Sequence, residues 1–317
     1  MKRGFAWVAA MALMLTLAGC GEEKKAKYTM GTGNISGIYY SYGGVLGQLI
    51  QDFTGMTVQV EETAGSKENI MGIASGKYQL AMTQSDVLSY AWQGRRDFDG
   101  ARVDSLRVVA GLYTEPIQLI SINPEIRYAA DELRGMRVAV GLPDSGIFFN
   151  AIDVLESVSL TLEDIQPFYL NVEDTIQALK DGTVDAAFLV SGAPAPALQA
   201  ISDTVKFTLI PIEGPIAERI QTSCPFYVPH TIPAGTYPGQ NLRVNTLAVR
   251  ATLAVSAQES TQTVYKMTKA IFDHKDAVRS CNPRGKELDP EKVADGIVVP
   301  FHPGAVMYFN ENDISLR

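Results

Sequence analysis

The stretch 28–53 opens Tyr28-Thr29-Met30-Gly31-Thr32-Gly33-Asn34-Ile35-Ser36-Gly37, continues Ile38-Tyr39-Tyr40-Ser41-Tyr42-Gly43-Gly44, and then places Val45, Leu46, Leu49, Ile50 and Phe53 at helical spacing. It reads as a short strand, a glycine loop and a helix. The unit recurs directly. Residues 57–63 alternate as a strand, Gly65-Ser66 opens a helix that ends near Gly76, 79–83 form a strand, and Ser85-Asp86 are positioned to cap the next helix. Strands alternating with helices predict a largely parallel α/β sheet.

A second run follows an apolar segment, 106–123, that is interrupted by Pro116 and is too long for an ordinary strand; it reads as a connection between domains. Beyond it come a strand at 137–141, a Pro143-Asp144-Ser145-Gly146 turn, and a helix marked by Ile152, Leu155 and Val158. A strand at 166–170, a helix at 174–180 stopped by Gly182, and a buried strand at 184–190 leading into Ser191-Gly192 complete the run. Val264, Met267, Ile271 and Phe272 place one apolar face on a helix over about 260–280. With 317 residues, two α/β lobes fit the length.

Composition narrows the function. The chain is 46% hydrophobic and 20% charged, as globular proteins are, and its formal net charge of -8 opposes an electrostatic grip on nucleic acid or an anionic membrane face. Three Cys and three His occur without C-x-x-C or H-E-x-x-H, and neither G-x-S-x-G nor a P-loop is present, so neither a metal site nor any cofactor is expected. The 31–37 loop is no dinucleotide fingerprint, because Ser36 stands at its sixth position and the third glycine comes one place late. Cys224 and Cys281 leave a disulfide open, with no geometry to decide it.

Lys2 and Arg3 precede an apolar run over 4–19, shorter than the roughly 20 residues a membrane-spanning helix needs, so 1–19 reads as an export signal. Leu17-Ala18-Gly19-Cys20 resembles the bacterial lipobox, which would leave Cys20 as the lipidated first residue; an ordinary signal peptide with an incidental Cys is the alternative. Residues 20–27 read as a polar tether.

In an open α/β sheet, loops leaving the carboxyl ends of strands line a crevice, and the helix N-termini beyond them carry unpaired N–H groups. Loops at 33–40, 63–66 and 84–86 from the first lobe and at 141–146 and 191–192 from the second are placed to hold a small anion without any Arg. The plain alternative is that Gly and Ser there merely make turns and caps. Tyr39 suits a ligand wall or a half-buried helix start. An enzyme would need Asp86, Glu115 or Asp144 to meet His302 as an acid/base pair, although His302 lies in a Pro-Gly turn. No enzyme activity is expected.

The chain also resembles a known family, the TAXI solute receptors of tripartite ATP-independent periplasmic (TRAP) transporters. The likeness covers nearly all of 28–312. It rests on Gly31-Thr32-Gly33 with Gly37-Ile38-Tyr39-Tyr40, on Gly65-Ser66, Glu68-Asn69 and Gln84-Ser85-Asp86, on Leu112-Tyr113 with Glu115, and on Leu133-Arg134-Gly135. The run Ile232-Pro233-Ala234-Gly235-Thr236-Tyr237-Pro238-Gly239-Gln240 and His302-Pro303-Gly304-Ala305 extend it. The family has further glycines where Asn34 and Ser36 stand, and a Gly-Ser-Gly-Thr-like turn where this chain has Asp144-Ser145-Gly146-Ile147. The resemblance implies a two-lobed, type II periplasmic-binding-protein-like fold with the ligand cleft between lobes, one lobe from 28–117 and 247–317, the other from 118–246. It implies a monomeric, extracytoplasmic receptor anchored at Cys20 that captures a small organic anion, such as glutamate, glutamine or a dicarboxylate, and delivers it to an ion-gradient-driven permease. An ABC-type receptor shares this architecture. The expected ligand-binding residues are Ser36, Gly37, Tyr39, Ser66, Gln84, Tyr113, Glu115, Ser145, Gly146 and Ser191, with Glu115 as the partner for an amino group.

Overall fold

The computed structural model describes residues 27–126 and 128–316. The export signal, the lipobox with Cys20 and the tether therefore lie outside the described residues, except Lys27, which already belongs to the first strand.

In chain order the elements are β1 Lys27–Gly31, α1 Ile38–Thr54, β2 Thr57–Glu61, α2 Ser66–Ala74, β3 Leu80–Gln84, α3 Ser85–Gln93 and β4 Leu106–Ser121. Then come β5 Arg137–Ala139, α4 Gly146–Ser157, β6 Gln166–Phe168, α5 Val172–Lys180, β7 Ala186–Val190, α6 Pro196–Gln199, β8 Thr208–Ile210 and α7 Gly214–Ser223. The chain closes with β9 Val228–Ile232, β10 Val244–Ser256, α8 Thr261–Asp273, α9 Lys275–Cys281 and α10 Pro303–Glu311.

The sheet runs in the order β2-β1-β3-β10-β4-β7-β5-β6, with β8 on β4 and β9 on β10. The β1–β2, β1–β3, β5–β6 and β5–β7 pairs are parallel, whereas β4 and β10 run antiparallel to their neighbours. The expected connection over 106–123 is thus one strand, β4, of 16 residues and roughly 50 Å. Its length reflects two jobs. Residues up to Pro116 pair with β10, and Ile117–Ser121 pair with β7. Pro116 carries no N–H, and it sits where the strand changes partner, so the missing donor falls at the end of one ladder.

On one face of the first section, α1, α8 and α10 bury Leu46, Ile50, Val264, Met267 and Phe309. In the second section, α5 and α6 bury Ile176, Leu179 and Leu198. A third cluster joins the sections: Ile70, Val87 and Tyr90 from α2 and α3 share it with Phe149, Val154 and Leu155 from α4.

Several local expectations need correcting. The predicted 260–280 helix is two helices, because His274 leaves helical geometry (φ -117°, ψ 26°) with its ring stacked on Phe53. Ser85 does not cap α3; it is the first residue of the helix, and its hydroxyl accepts from the Arg250 amide. Cys224 and Cys281 are both free thiols, one buried and one exposed. Among the described residues no helix is long and apolar enough to cross a membrane.

Candidate functional site

A cavity of about 410 Å³ opens where the two sections of the sheet meet. Nine of the ten expected residues line it: Ser36, Gly37, Tyr39, Ser66, Gln84, Glu115, Ser145, Gly146 and Ser191. Tyr113 does not. It lies two residues before Glu115 on the same face of β4, but within the core, where its ring lies 5.1 Å from that of Tyr42 and its hydroxyl is buried.

The glycine loop forms the first wall. Asn69 holds it from behind, donating to the carbonyls of Thr32 at 2.6 Å and Met82 at 2.7 Å, while Thr63 donates to Thr32 O at 3.1 Å. Glu62 steadies the tip by accepting from Asn34 Nδ2 and the Ile35 amide. Ser36 spends its hydroxyl on Asn34 Oδ1. Gly37 then caps α1 without a side chain, so the first-turn amides of Ile38 and Tyr39 have no intrahelical acceptor.

The floor is Glu115, 3% exposed, which accepts from the Tyr39 hydroxyl at 2.7 Å. Burial pushes its carboxyl well above the usual range; the Tyr39 hydrogen bond pulls the other way, and the charges of Asp86 and Glu287 add to the rise. Tyr39 is likewise raised, first by burial and then by Glu115.

Across the cavity the sections touch. Gly65 has φ +127°, a conformation side chains rarely adopt, and a Cβ there would sit 3.4 Å from Ser145 Cα. At Gly146 a Cβ would meet Gln84 Oε1 at 1.8 Å and Ser66 Oγ at 3.0 Å. Gln84 is 3% exposed and its Oε1 has no hydrogen-bond partner. The Asp144 carbonyl accepts from the Lys67 and Glu68 amides at 3.1 and 3.3 Å, and its carboxylate lies 3.0 Å from Lys67 Nζ. A carbonyl from one section therefore caps a helix of the other.

That contact changes the expected anion site. Two of α2's N-terminal amides are already occupied by Asp144. The Ser145 hydroxyl is committed too, donating to Leu142 O at 2.7 Å and accepting from the Phe148 amide at 3.3 Å as the cap of α4. Ser66 Oγ accepts from the Gln84 amide. The donors left toward the cavity are first-turn amides of α1 and α4 and Ser66 N, together with the hydroxyls of Ser66 and Ser191. Asp144 shares Lys67 with Asp97, whose carboxylate lies 2.9 Å from the same Nζ, so its charge is only partly offset.

Among the described residues lining the cavity there is no Lys or Arg, and the charged ones are Glu62 and Glu115. The rest of the second wall is apolar: Leu142, Ile147, Leu170, Val172, Leu189, Val190 and Ala195 to Ala197. Sequence reasoning missed Leu170-Asn171-Val172, although this is a strand-to-helix loop in which Asn171 caps α5. Asn69 entered the sequence reading only within the Glu68-Asn69 motif of the resemblance, without a role, since a buried amide on a helix does not announce its partners in one sequence.

His302 is remote from the cavity. It caps α10, accepting from the Gly304 amide at Nδ1 with Nε2 against Glu259 O, and burial lowers its pKa. Asp86 faces Asn150 instead, so the conceivable acid/base pair is not assembled. Among the described residues no cluster of three or more His, Cys, Asp or Glu is placed to hold a metal.

Known proteins match this geometry at the level of fold. A structure from Bordetella bronchiseptica RB50 aligns with a TM-score of 0.59 at 14% identity, covering 91% of this chain and 98% of that one. The GluR0 ligand-binding core from Nostoc punctiforme, in complex with (L)-glutamate, aligns at 0.51 with 15% identity, covering 80% and 96%. The substrate binding protein of an amino acid ABC transporter aligns at 0.51 with 10% identity, covering 81% and 97%. The fold is the mixed α/β type II periplasmic-binding-protein fold. The family expectation is corrected: the family that matches residues 30–312 is not the TAXI receptors, and the ion-gradient-driven TRAP permease expected as partner loses its basis with it. Because the match spans nearly the whole folded chain, the protein belongs to the NMT1-like family.

Proposed function

We propose that the chain is an extracytoplasmic solute-binding protein of the ABC-transporter kind, monomeric and without enzymatic activity or a bound cofactor. The two lobes are 28–117 with 247–317, and 118–246; the export signal at 1–19 and lipidation at Cys20 would hold it outside the cytoplasmic membrane. The observation that carries the reading is one cavity walled by both sections, with unpaired helix amides at one side and a buried carboxyl at the other. A ligand carboxylate is stabilised at the first turns of α1 and α4, where aligned peptide dipoles leave partial positive charge. An ammonium group is matched by Glu115, which it would draw back to the ionised form.

Of the expected anions, this polarity favours amino acids such as glutamate or glutamine over a dicarboxylate, whose second carboxylate would face Glu115 with no cation to offset it. Two of the structural relatives bind such molecules by their own descriptions: one holds (L)-glutamate and one serves an amino acid transporter.

Native mass spectrometry of protein taken from cells, followed by calorimetry with amino acids and dicarboxylates, tests the proposal. Binding of an amino acid that Glu115→Gln weakens supports it. A protein that carries no small molecule and binds none of the panel overturns it.

A further inference from the structure

Behind the cavity, the seam between α3 and α4 contains a buried polar chain that solute binding does not use. Asn150 Nδ2 donates to Asp86 Oδ2 and to the Tyr227 hydroxyl, both at 2.7 Å. Tyr227 donates to Asp153 Oδ2 at 2.7 Å, and Tyr90 donates to the same oxygen at 2.6 Å. Arg96 pairs with Asp153 and, at 2.7 Å, with Glu156. Asp86 and Tyr90 belong to the first section, the others except Arg96 to the second, so these bonds hold the sections together.

The two aspartates differ. Asp153 has a guanidinium. Asp86 is fully buried and has none, and its Oδ1 finds no donor; the Oδ1 of its partner Asn150 also lacks one. A buried polar group without a partner is costly, and a lone buried charge more so. A proton on Asp86 removes the charge and gives the unpartnered Oδ1 side a donor in place of a second acceptor.

We infer that Asp86 is the proton-sensitive element of an interlobe latch, which holds the seam shut when Asp86 is neutral and loosens it when Asp86 is ionised. The inference rests on the two-lobed reading above. Of the titratable groups facing Asp86, Asp153 from α4 and Glu115 from β4 oppose its charge when ionised, Tyr39 from α1 and Tyr227 from the segment before β9 are held well above their ordinary range and stay neutral, and Arg96 is spent on Asp153 and Glu156. Burial, then Asp153, pushes the carboxyl up to about 7, against hydrogen bonds from the Val87 amide and Asn150. With the seam open the carboxyl meets water and returns toward the ordinary range near 4. The shut form is therefore favoured fully below that range, loses up to tenfold per pH unit as pH rises to about 7, and is insensitive above.

The amides of Lys67 and Glu68 read the seam directly, because their acceptor lies across it. Hydrogen–deuterium exchange of the unliganded protein, corrected for intrinsic rates, should show their protection rising by up to about 100-fold from pH 8 to pH 5. In Asp86→Asn the change should stay under about threefold. No pH response in the wild type, or an undiminished one in Asp86→Asn, overturns the inference, as does a response abolished by Glu115→Gln instead. Should Asp86→Asn fail to fold, infrared titration of Glu115→Gln decides: a buried protonated carboxyl that titrates near neutrality supports the latch, and its absence refutes it. No solute is added, so these results stand apart from any failure to find a ligand.

Discussion

Replacing Gly146 by Ala should open the seam, even though the backbone there accepts any side chain. Gly146 is the first residue of α4, and its φ is not positive. On local grounds alone, Gly→Ala at such a site stabilises by about 0.4–1 kcal/mol. The new methyl, however, would stand 1.8 Å from Gln84 Oε1 and 2.4 Å from Gln84 Cδ, about 1.6 Å short of ordinary contact. Gln84 is enclosed by Ser66 and its own strand, so part of that displacement must come from separating the sections. Moving them by even 1 Å breaks the two amide bonds to the Asp144 carbonyl, at about 1 kcal/mol each. The net expectation is a seam weakened by about 2 kcal/mol, or about 30-fold in the shut-to-open ratio, opposite in sign to the local effect. Exchange of the Lys67 and Glu68 amides measures it, and Gly146→Ala/Gln84→Ala should restore their protection. A single variant that melts higher than wild type with both amides equally protected would show that Gln84 simply rotates away, and the steric argument would fall.

Arg96→Ala leaves Asp153 buried without its cation and should destabilise the fold by about 3 kcal/mol, the lower end for a broken buried pair because the guanidinium is partly exposed; a loss under about 1 kcal/mol in denaturant melts would contradict this. Glu115 has a raised carboxyl in the folded state, so its contribution is complete below the ordinary range and is lost as pH rises toward its folded value. Glu115→Gln should consequently be the more stable form of the unliganded protein at pH 8 and gain little at pH 4, and equal melting temperatures at pH 8 would refute the assignment. Iodoacetamide should alkylate Cys281 in the native protein and Cys224 only on unfolding, as peptide mapping would show.

The alternation of strand and helix, and the crevice rule for loops after strands, made the fold and eight of the cavity's residues legible from the sequence; Glu115 came with the family resemblance. Both signals are local. Most errors arise where the decisive partner is distant; Ser145, whose hydroxyl is taken by groups three residues away, is the exception. Nothing near 106–123 tells that β10 will pair with its longer first part and β7 with its last five residues, so a long strand looked like a linker. Tyr113 and Glu115 share one strand face, yet only the depth of the cavity, set by α1, decides which of them reaches it. Ser145 looked like a ligand donor because a serine before a glycine is a donor in isolation; the Leu142 carbonyl and the Phe148 amide, both local, had already claimed it.

The placement of β10 has a consequence for how the chain acquires its structure. It is the central strand between β3 and β4, yet Thr83 and Thr252, which meet across the β3–β10 ladder, are 169 positions apart. At synthesis rates of about 5–20 residues per second, β3 and β4 wait roughly ten to thirty seconds for the strand that joins them. Until then each presents an unpaired edge, and the long loop must close before the pairing is rewarded. A chain that cannot finish its sheet before its last quarter emerges carries two open strand edges for that whole interval, and its yield on synthesis depends on keeping those edges from pairing with other chains.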